Sequence, residues 1–230
     1  MHIGILQTGH APESLRAQHG DYGDMFRRLL ADRGLTLQDW DVENMQFPPD
    51  VHAAQGWLIT GSKHGAYEDH AFIPPLEEFI RQARDARKPM VGICFGHQIM
   101  AQALGGHVAK FDGGWAIGAQ AYDVEGRTLM LNAWHQDQVL SPPEDARCIA
   151  QNDFCRYAGF AFGDWGLSVQ PHPEFSDAFV KGLIETRGRG LVPEPTLDAA
   201  ASRLGTPLDA DRIAERIAGF LKQREADHGR

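Results

Sequence analysis

The sequence predicts an α/β fold, a mostly parallel sheet covered by helices on both faces with an antiparallel extension, and three observations carry that prediction. Strand-like and helix-like stretches alternate from residue 2 to residue 104, the rhythm of right-handed strand–helix–strand units. Met90, Val91 and Ile93 make a short apolar run after Pro89, as in a strand buried on both faces. From residue 107 to residue 162 the texture changes to short β-like runs broken by Gly and Asp, the mark of antiparallel ribbons at a sheet edge. A chain of 230 residues, 43% of them hydrophobic, is long enough for one such domain with a generous core, or for a domain plus a small appendage.

Each element has its own signal. Residues 2–6 read as the first strand and 8–12 as a loop. Residues 21–33 read as a helix with Met25, Phe26, Leu29 and Leu30 on one face, ended by Gly34. A second strand is expected at 35–42, a polar, proline-bearing connection at 46–54, and a third strand at 56–60 stopped by Gly61-Ser62. Residues 72–87 carry Pro74 in the first turn of a helix whose Leu76, Phe79, Ile80 and Ala83 face inward. The strand at 90–93 runs into a helix marked by Ile99, Met100, Ala103 and Leu104 and stopped by Gly105-Gly106. Beyond it, β-like runs appear at 108–110, 119–124, 127–131, 147–150, 157–161 and 165–170. Helices follow at 175–186 and 209–224, with 188–196 read as a linker.

Composition excludes several classes of function. A formal net charge of −9 argues against nucleic acid as a partner. No apolar run approaches the roughly 20 residues that span a bilayer, and the N-terminal stretch Met1–Leu6 lacks the basic region and cleavage site of a signal peptide. Three cysteines give no disulfide framework, so a reducing cytoplasm is expected. Without a C-x-x-C pair or an H-E-x-x-H motif, no metal and no cofactor are expected. Most of the eleven histidines, His10, His64 and His107 among them, read as surface or packing residues.

Chemistry concentrates at Gly92-Ile93-Cys94-Phe95-Gly96, at the junction of a strand and a helix. This is the cysteine counterpart of the G-x-S-x-G nucleophile elbow. A nucleophile on so sharp a turn sits on strained backbone, and the glycines let neighbouring chain pass without a Cβ in the way. The following helix aims its positive dipole end at the sulfur. An inert, packed thiol is the competing reading for any cysteine, and the flanking strand, helix and glycines tell against it.

A cysteine nucleophile needs a base, and the base an orienting group. His172 and Glu174 sit beyond the strand at 165–170 and, on extended chain stiffened by Pro171 and Pro173, project to one side. Acyl transfer also needs two backbone N–H groups for the oxyanion. Phe95, the residue after the nucleophile, is expected to supply one and Gly61 the other.

Gly92-Ile93-Cys94-Phe95-Gly96-His97-Gln98 together with His172-Pro173-Glu174 resembles the class I, or triad, glutamine amidotransferases, in the branch of GMP-synthase-type glutaminase domains and γ-glutamyl peptidases. The Thr60-Gly61-Ser62 turn and the Trp134–Val139 segment match that family too. The resemblance implies a flavodoxin-like three-layer α/β/α core over residues 1–187, leaving 188–230 as a linker and a C-terminal helical segment packed on the same domain. It implies a Cys94–His172–Glu174 triad that hydrolyses a γ-glutamyl amide through a thioester. It implies substrate contacts from Ser62 and Gln98, with His135 and Gln136 at the rim holding the α-carboxylate. The turn departs from the commonest family form, Gly-Ser-Pro or Gly-Gly-Pro, in carrying Lys63 and His64. No P-loop is present and the tail is too short for an ATP-dependent synthetase. Glutamine hydrolysis with ammonia passed to an acceptor made by a separate synthetase subunit is the first expectation. The alternative is a stand-alone γ-glutamyl peptidase or hydrolase. A non-catalytic regulator is opposed by the intact triad residues, and a glyoxalase- or chaperone-like protein by the His-Pro-Glu strand end.

Overall fold

The structure, a computed structural model, describes the backbone of residues 1–227 and the side chains of residues 1–223. In chain order the first half holds β1 (His2–Gln7), α1 (Glu13–His19), α2 (Tyr22–Leu29), β2 (Thr36–Asp41), β3 (Gly56–Ile59), α3 (Ile73–Asp85), β4 (Met90–Ile93) and α4 (Phe95–Ala103). The second half holds β5 (His107–Lys110), β6 (Ala116–Val124), β7 (Arg127–His135), β8 (Asp137–Ser141), β9 (Ala146–Gln151), β10 (Gly159–Phe162) and β11 (Gly166–Val169). After these come α5 (Asp177–Leu183), α6 (Glu194–Ala201) and α7 (Ala210–Asp227).

The main sheet runs β2-β1-β3-β4-β11-β10-β9-β6-β7. Its first five strands pair in parallel, and the rest pair antiparallel. The antiparallel extension is thus nearly as wide as the parallel part, and β5 and β8 form a separate ribbon. Parallel pairing sends the C-terminal ends of β3, β4 and β11 to one edge as immediate neighbours. Gly61, Cys94 and His172 follow those three ends.

Alternation along the buried strands sorts side chains into two cores. On one face Trp57, Ile59 and Met90 pack with Leu76 and Ile80 of α3 and Ile99 and Met100 of α4. On the other, Ile3, Ile5, Leu58, Val91 and Ile93 meet Phe26 and Leu30 together with Ile213, Ile217 and Leu221 of α7. The C-terminal helix therefore covers the central strands. Deleting one of its buried isoleucines removes about 2–5 kcal/mol.

The structure corrects the sequence reading in four places. Residues 13–19 form α1, which buries only Leu15 and so shows no periodicity in sequence. The stretch read as a linker enters α6, because Pro193 and Pro195 sit at its cap and first turn, positions that tolerate proline. Residues 137–141, to which the sequence reading assigned no element, form a strand. The helix read at 175–186 starts at Asp177, capped by the Ser176 side chain, and widens into one π-helical turn over Ile184–Gly188. Residues 228–230 of the C-terminal segment lie outside the described residues. Among the described residues no helix is long and apolar enough to cross a membrane.

Candidate active site

Cys94 occupies the one-residue junction between β4 and α4 with φ 54° and ψ −103°. A Cβ in that half of the map clashes with its own backbone, a strain of about 1–3 kcal/mol that surrounding structure must hold in place. The holding contacts are visible. Cys94 N donates to Val169 O on β11 at 2.9 Å, and Gly96 N donates to Thr60 O beyond β3 at 3.2 Å. Both glycines of the elbow are sterically required. A Cβ on Gly92 would lie 2.4 Å from Gly96 O, and one on Gly96 would lie 2.4 Å from Ile59 O. Phe95 opens α4, so its N–H has no intrahelical partner.

His172 is fixed from several sides. Its N–H donates to Asn132 O at 2.8 Å, tying the segment after β11 to β7. Its ring stacks on Phe175, centroids 3.9 Å apart and planes within 5°. Nδ1 donates to Glu174 Oε1 at 2.7 Å, with the two side chains only 4% and 1% exposed. Burial alone would lower the imidazole's pKa. The charges of Cys94 and Glu174, and its hydrogen bonds to both, outweigh that and raise it to about 10. His172 therefore carries its proton at neutral pH, between a sulfur and a carboxylate.

Gly61 closes the group. A Cβ there would stand 2.8 Å from His172 Cε1 and 3.8 Å from Cys94 Cβ. Its carbonyl is turned away from the site, accepting from the hydroxyls of Thr8 at 3.1 Å and Thr60 at 3.0 Å. Ser62 follows, and its Oγ accepts from His64 N at 3.1 Å.

One pocket is lined by Ser62, Cys94, Gln98, His135, Gln136 and His172, so these sequence-derived residues converge; Glu174 is bonded to His172, Gly61 lies against the His172 ring, and Phe95 is buried at the start of α4. Two of them do something other than expected. Gln98 spends both amide protons inside the protein, on Asp137 O at 2.9 Å and Gln170 Oε1 at 3.0 Å, which leaves only its oxygen for a ligand. His135 donates from Nδ1 to Asp137 O at 3.2 Å, and burial, aided by the nearby His172 charge, lowers its pKa to about 3. It is a neutral ring whose buried Nε2 has no partner among the described residues. Such an acceptor suits an N–H or ammonium group better than a carboxylate. Gln136 reaches Phe111 O at 3.4 Å. Lys63 and His64 both turn to Glu43, at 3.0 and 2.9 Å.

Four residues of the site were not found from sequence. Asn132 donates to Phe175 O at 3.0 Å and so braces the ring that stacks on His172. A lone amide in the apolar run of residues 129–134 was its signal. Gln170 holds Gln98. Tyr22 and Arg187 line the pocket from α2 and the π-helical turn, and neither spacing nor composition marks them. Burial, Cys94 and Glu174 raise the pKa of the Tyr22 hydroxyl against the opposing pull of Arg187. Arg187 and Lys63 also line an adjoining cavity with His10 and Arg16.

The family model of class-I glutamine amidotransferases matches residues 20–179. This chain belongs to the class I glutamine amidotransferase family. It is similar to γ-glutamyl peptidase 2 of Arabidopsis thaliana, 28% identical over 96% of this chain and 95% of the plant protein. It is similar also to the GMP synthase of Vibrio campbellii, 30% identical over 86% of this chain but only 42% of that enzyme. A crystal structure of a glutamine amidotransferase from Methylobacillus flagellatus shares the fold of this family member, with a TM-score of 0.76 at 22% identity, covering 98% of this chain and 94% of the other.

Proposed function

We propose that this amidotransferase-family chain hydrolyses γ-glutamyl amide bonds through a thioester on Cys94. The observation that carries the reading is the buried His172–Glu174 pair set beside a cysteine at positive φ. In the proposed cycle the Cys94 sulfur attacks the γ-carbonyl carbon and the C–N bond breaks. His172 gives its proton to the departing nitrogen, then takes one from the water that attacks the thioester, which releases glutamate and regenerates the sulfur. Glu174 holds the imidazole by Nδ1 and offsets its charge. The N–H groups of Phe95 and Gly61 would receive the oxyanion, the first worth about 10²–10³ in rate if it behaves as other oxyanion donors do.

Two features favour a substituted amine over ammonia as the leaving group. The adjoining cavity is lined by Arg16, Arg187, Lys63 and His10 with one carboxylate, Glu13; Lys63 and His10 are already paired with Glu43 and Asp21, so Arg16 and Arg187 are the cations suited to the carboxylate of an amino acid or short peptide. The similarity to γ-glutamyl peptidase 2 runs over nearly the whole of both chains. Among the described residues the Arg187 guanidinium makes no hydrogen bond or ion pair, and its charge acts on the nearby Tyr22 hydroxyl, so it can take such a carboxylate. His135 Nε2 would accept from the substrate's ammonium group. The second reading, glutamine hydrolysis with ammonia delivered to a separate synthetase, rests on the similarity to GMP synthase.

The test compares kcat/KM for glutamine, γ-glutamyl amino acids and γ-glutamyl amines on the purified chain, with ammonia and free amine both measured. A γ-glutamyl amino acid turned over at about 10⁴ M⁻¹s⁻¹ or more, the lower end of the usual enzyme range, with glutamine far slower, supports the peptidase reading. Glutamine as the preferred substrate transfers the proposal to the ammonia-delivering reading.

A further inference from the structure

We propose that His64, Glu68 and His70 form a binding site for a zinc-class divalent transition ion at the rim of the pocket. One oxygen, Glu68 Oε2, lies 2.7 Å from His70 Nε2 and 3.8 Å from His64 Nδ1. The three donor atoms all fall within 4.8 Å of one another. In a tetrahedral zinc site with bonds of about 2.0–2.1 Å, neighbouring donors stand about 3.3 Å apart. The Glu68–His70 edge needs to open and the Glu68–His64 edge to close by roughly half an ångström each, and the His64–His70 edge, at most 4.8 Å, to close by no more than about 1.5 Å, changes that side-chain rotation on this rim can supply.

The outer shell is already in place. His64 Nε2 donates to Glu43 Oε1 at 2.9 Å, and Glu43 is anchored in turn by Lys63 at 3.0 Å. That bond fixes the proton on Nε2 and leaves the lone pair on Nδ1, the atom that faces Glu68. A carboxylate on the far nitrogen of a metal-binding histidine is the usual supporting contact. The two imidazoles lie with centroids 3.9 Å apart and both rest near Phe72, at 5.8 and 5.9 Å. A single N–H donor would satisfy the Glu68 oxygen, whereas two rings converge on it. Two imidazole nitrogens and one carboxylate oxygen select zinc, cobalt, nickel or copper over magnesium or calcium. Three protein ligands leave one position open.

The site is coupled to the chemistry by contact. His64 and Glu68 line the pocket, His64 N is bonded to Ser62 Oγ beside Gly61, and Phe72 packs on Phe95, centroids 6.0 Å apart. An ion there would pin the turn that carries the Gly61 N–H.

The test is titration of the Cys94→Ala chain with Co²⁺, followed by its visible ligand-field bands, together with X-ray absorption of the Zn²⁺-loaded chain. Removing Cys94 takes away the thiol of the neighbouring site. The expected result is one ion per chain in the micromolar range, with histidine scattering and no sulfur scattering. His70→Ala and Glu68→Gln should each weaken binding by tenfold or more, and Glu43→Gln by about 10–100-fold as an outer-shell contact. Circular dichroism confirms that each variant is folded, and the absorption spectrum of the Cys94→Ala chain needs no ligand variant. No saturable binding, sulfur in the first shell, or a loss below tenfold in both His70→Ala and Glu68→Gln overturns the site.

Discussion

Gly61→Ala is the most informative single change, because it adds one methyl group where the structure has no room. The new Cβ would stand 2.8 Å from His172 Cε1, well inside van der Waals contact. The imidazole cannot retreat freely, since it is stacked on Phe175 at 3.9 Å and bonded to Glu174 at 2.7 Å. Overpacking of this kind costs about 1–3 kcal/mol. For a domain of this size each 1 kcal/mol lowers Tm by about 2–4 °C, so the melting temperature should fall by roughly 2–12 °C with folding preserved. Activity should suffer more. A displacement of His172 of up to about 1 Å relative to Cys94 costs up to about 10²-fold in rate, and the Gly61 N–H would move with it. Steady-state kinetics on a chromogenic γ-glutamyl anilide, with KM and kcat separated, should show kcat down 10–100-fold (the span this mechanism allows) and KM little changed. Wild-type kcat combined with a lowered Tm would refute the reasoning, since the methyl would then be accommodated without disturbing the reacting groups.

Other outcomes follow from the same geometry. Cys94→Ala should abolish turnover, while Cys148→Ser and Cys155→Ser should keep it, because neither of those cysteines lines the pocket; a simple rate assay decides. His172→Ala should cost more in kcat than Glu174→Gln. Because the folded His172 pKa is raised above its unfolded value, its stabilising contribution is complete below about 6.5. It is lost as pH rises toward about 10, so Tm measured across that window should fall less in Glu174→Gln than in the wild type. In Glu174→Gln the alkaline limb of the kcat profile should also move to lower pH. Arg187→Ala should raise KM for γ-glutamyl amino acids about tenfold or more while sparing γ-glutamyl amines that lack a carboxylate, given a charge-assisted bond of about 1.5–3 kcal/mol. Ile217→Ala should destabilise the fold by about 2–5 kcal/mol without changing KM, because Ile217 packs under the central strands and does not line the pocket.

What was legible in the sequence, and what was not, divides along physical lines. The elbow could be read because its requirement is local: Gly92 and Gly96 are each forced by backbone within a few ångströms, and a short strand and a helix flank them. The His172–Glu174 pair could be read from residue type and close spacing, although the extended chain expected there is a turn at Pro173 and Glu174 closed by Phe175 N donating to His172 O at 3.4 Å. The apolar stripe of α7 announced a buried face, although not that the face covers β4. Arg187 could not be read, because its place depends on a π-helical turn at the end of α5, and π-turns leave no strong local pattern. Gln98 shows the opposite limit. Its type and position were visible, yet Gln170 and the Asp137 carbonyl claim its amide protons, and those partners arrive from the residue just after β11 and the start of β8, distant in sequence.

The central claim is that a γ-glutamyl thioester forms on Cys94, and labelling by a glutamine-like chloroketone followed by peptide mass spectrometry tests it most directly. The account predicts one adduct, on Cys94, formed in step with loss of activity and slowed by a γ-glutamyl substrate. Loss of activity with the adduct on Cys148 or Cys155 and an unmodified Cys94 would contradict it.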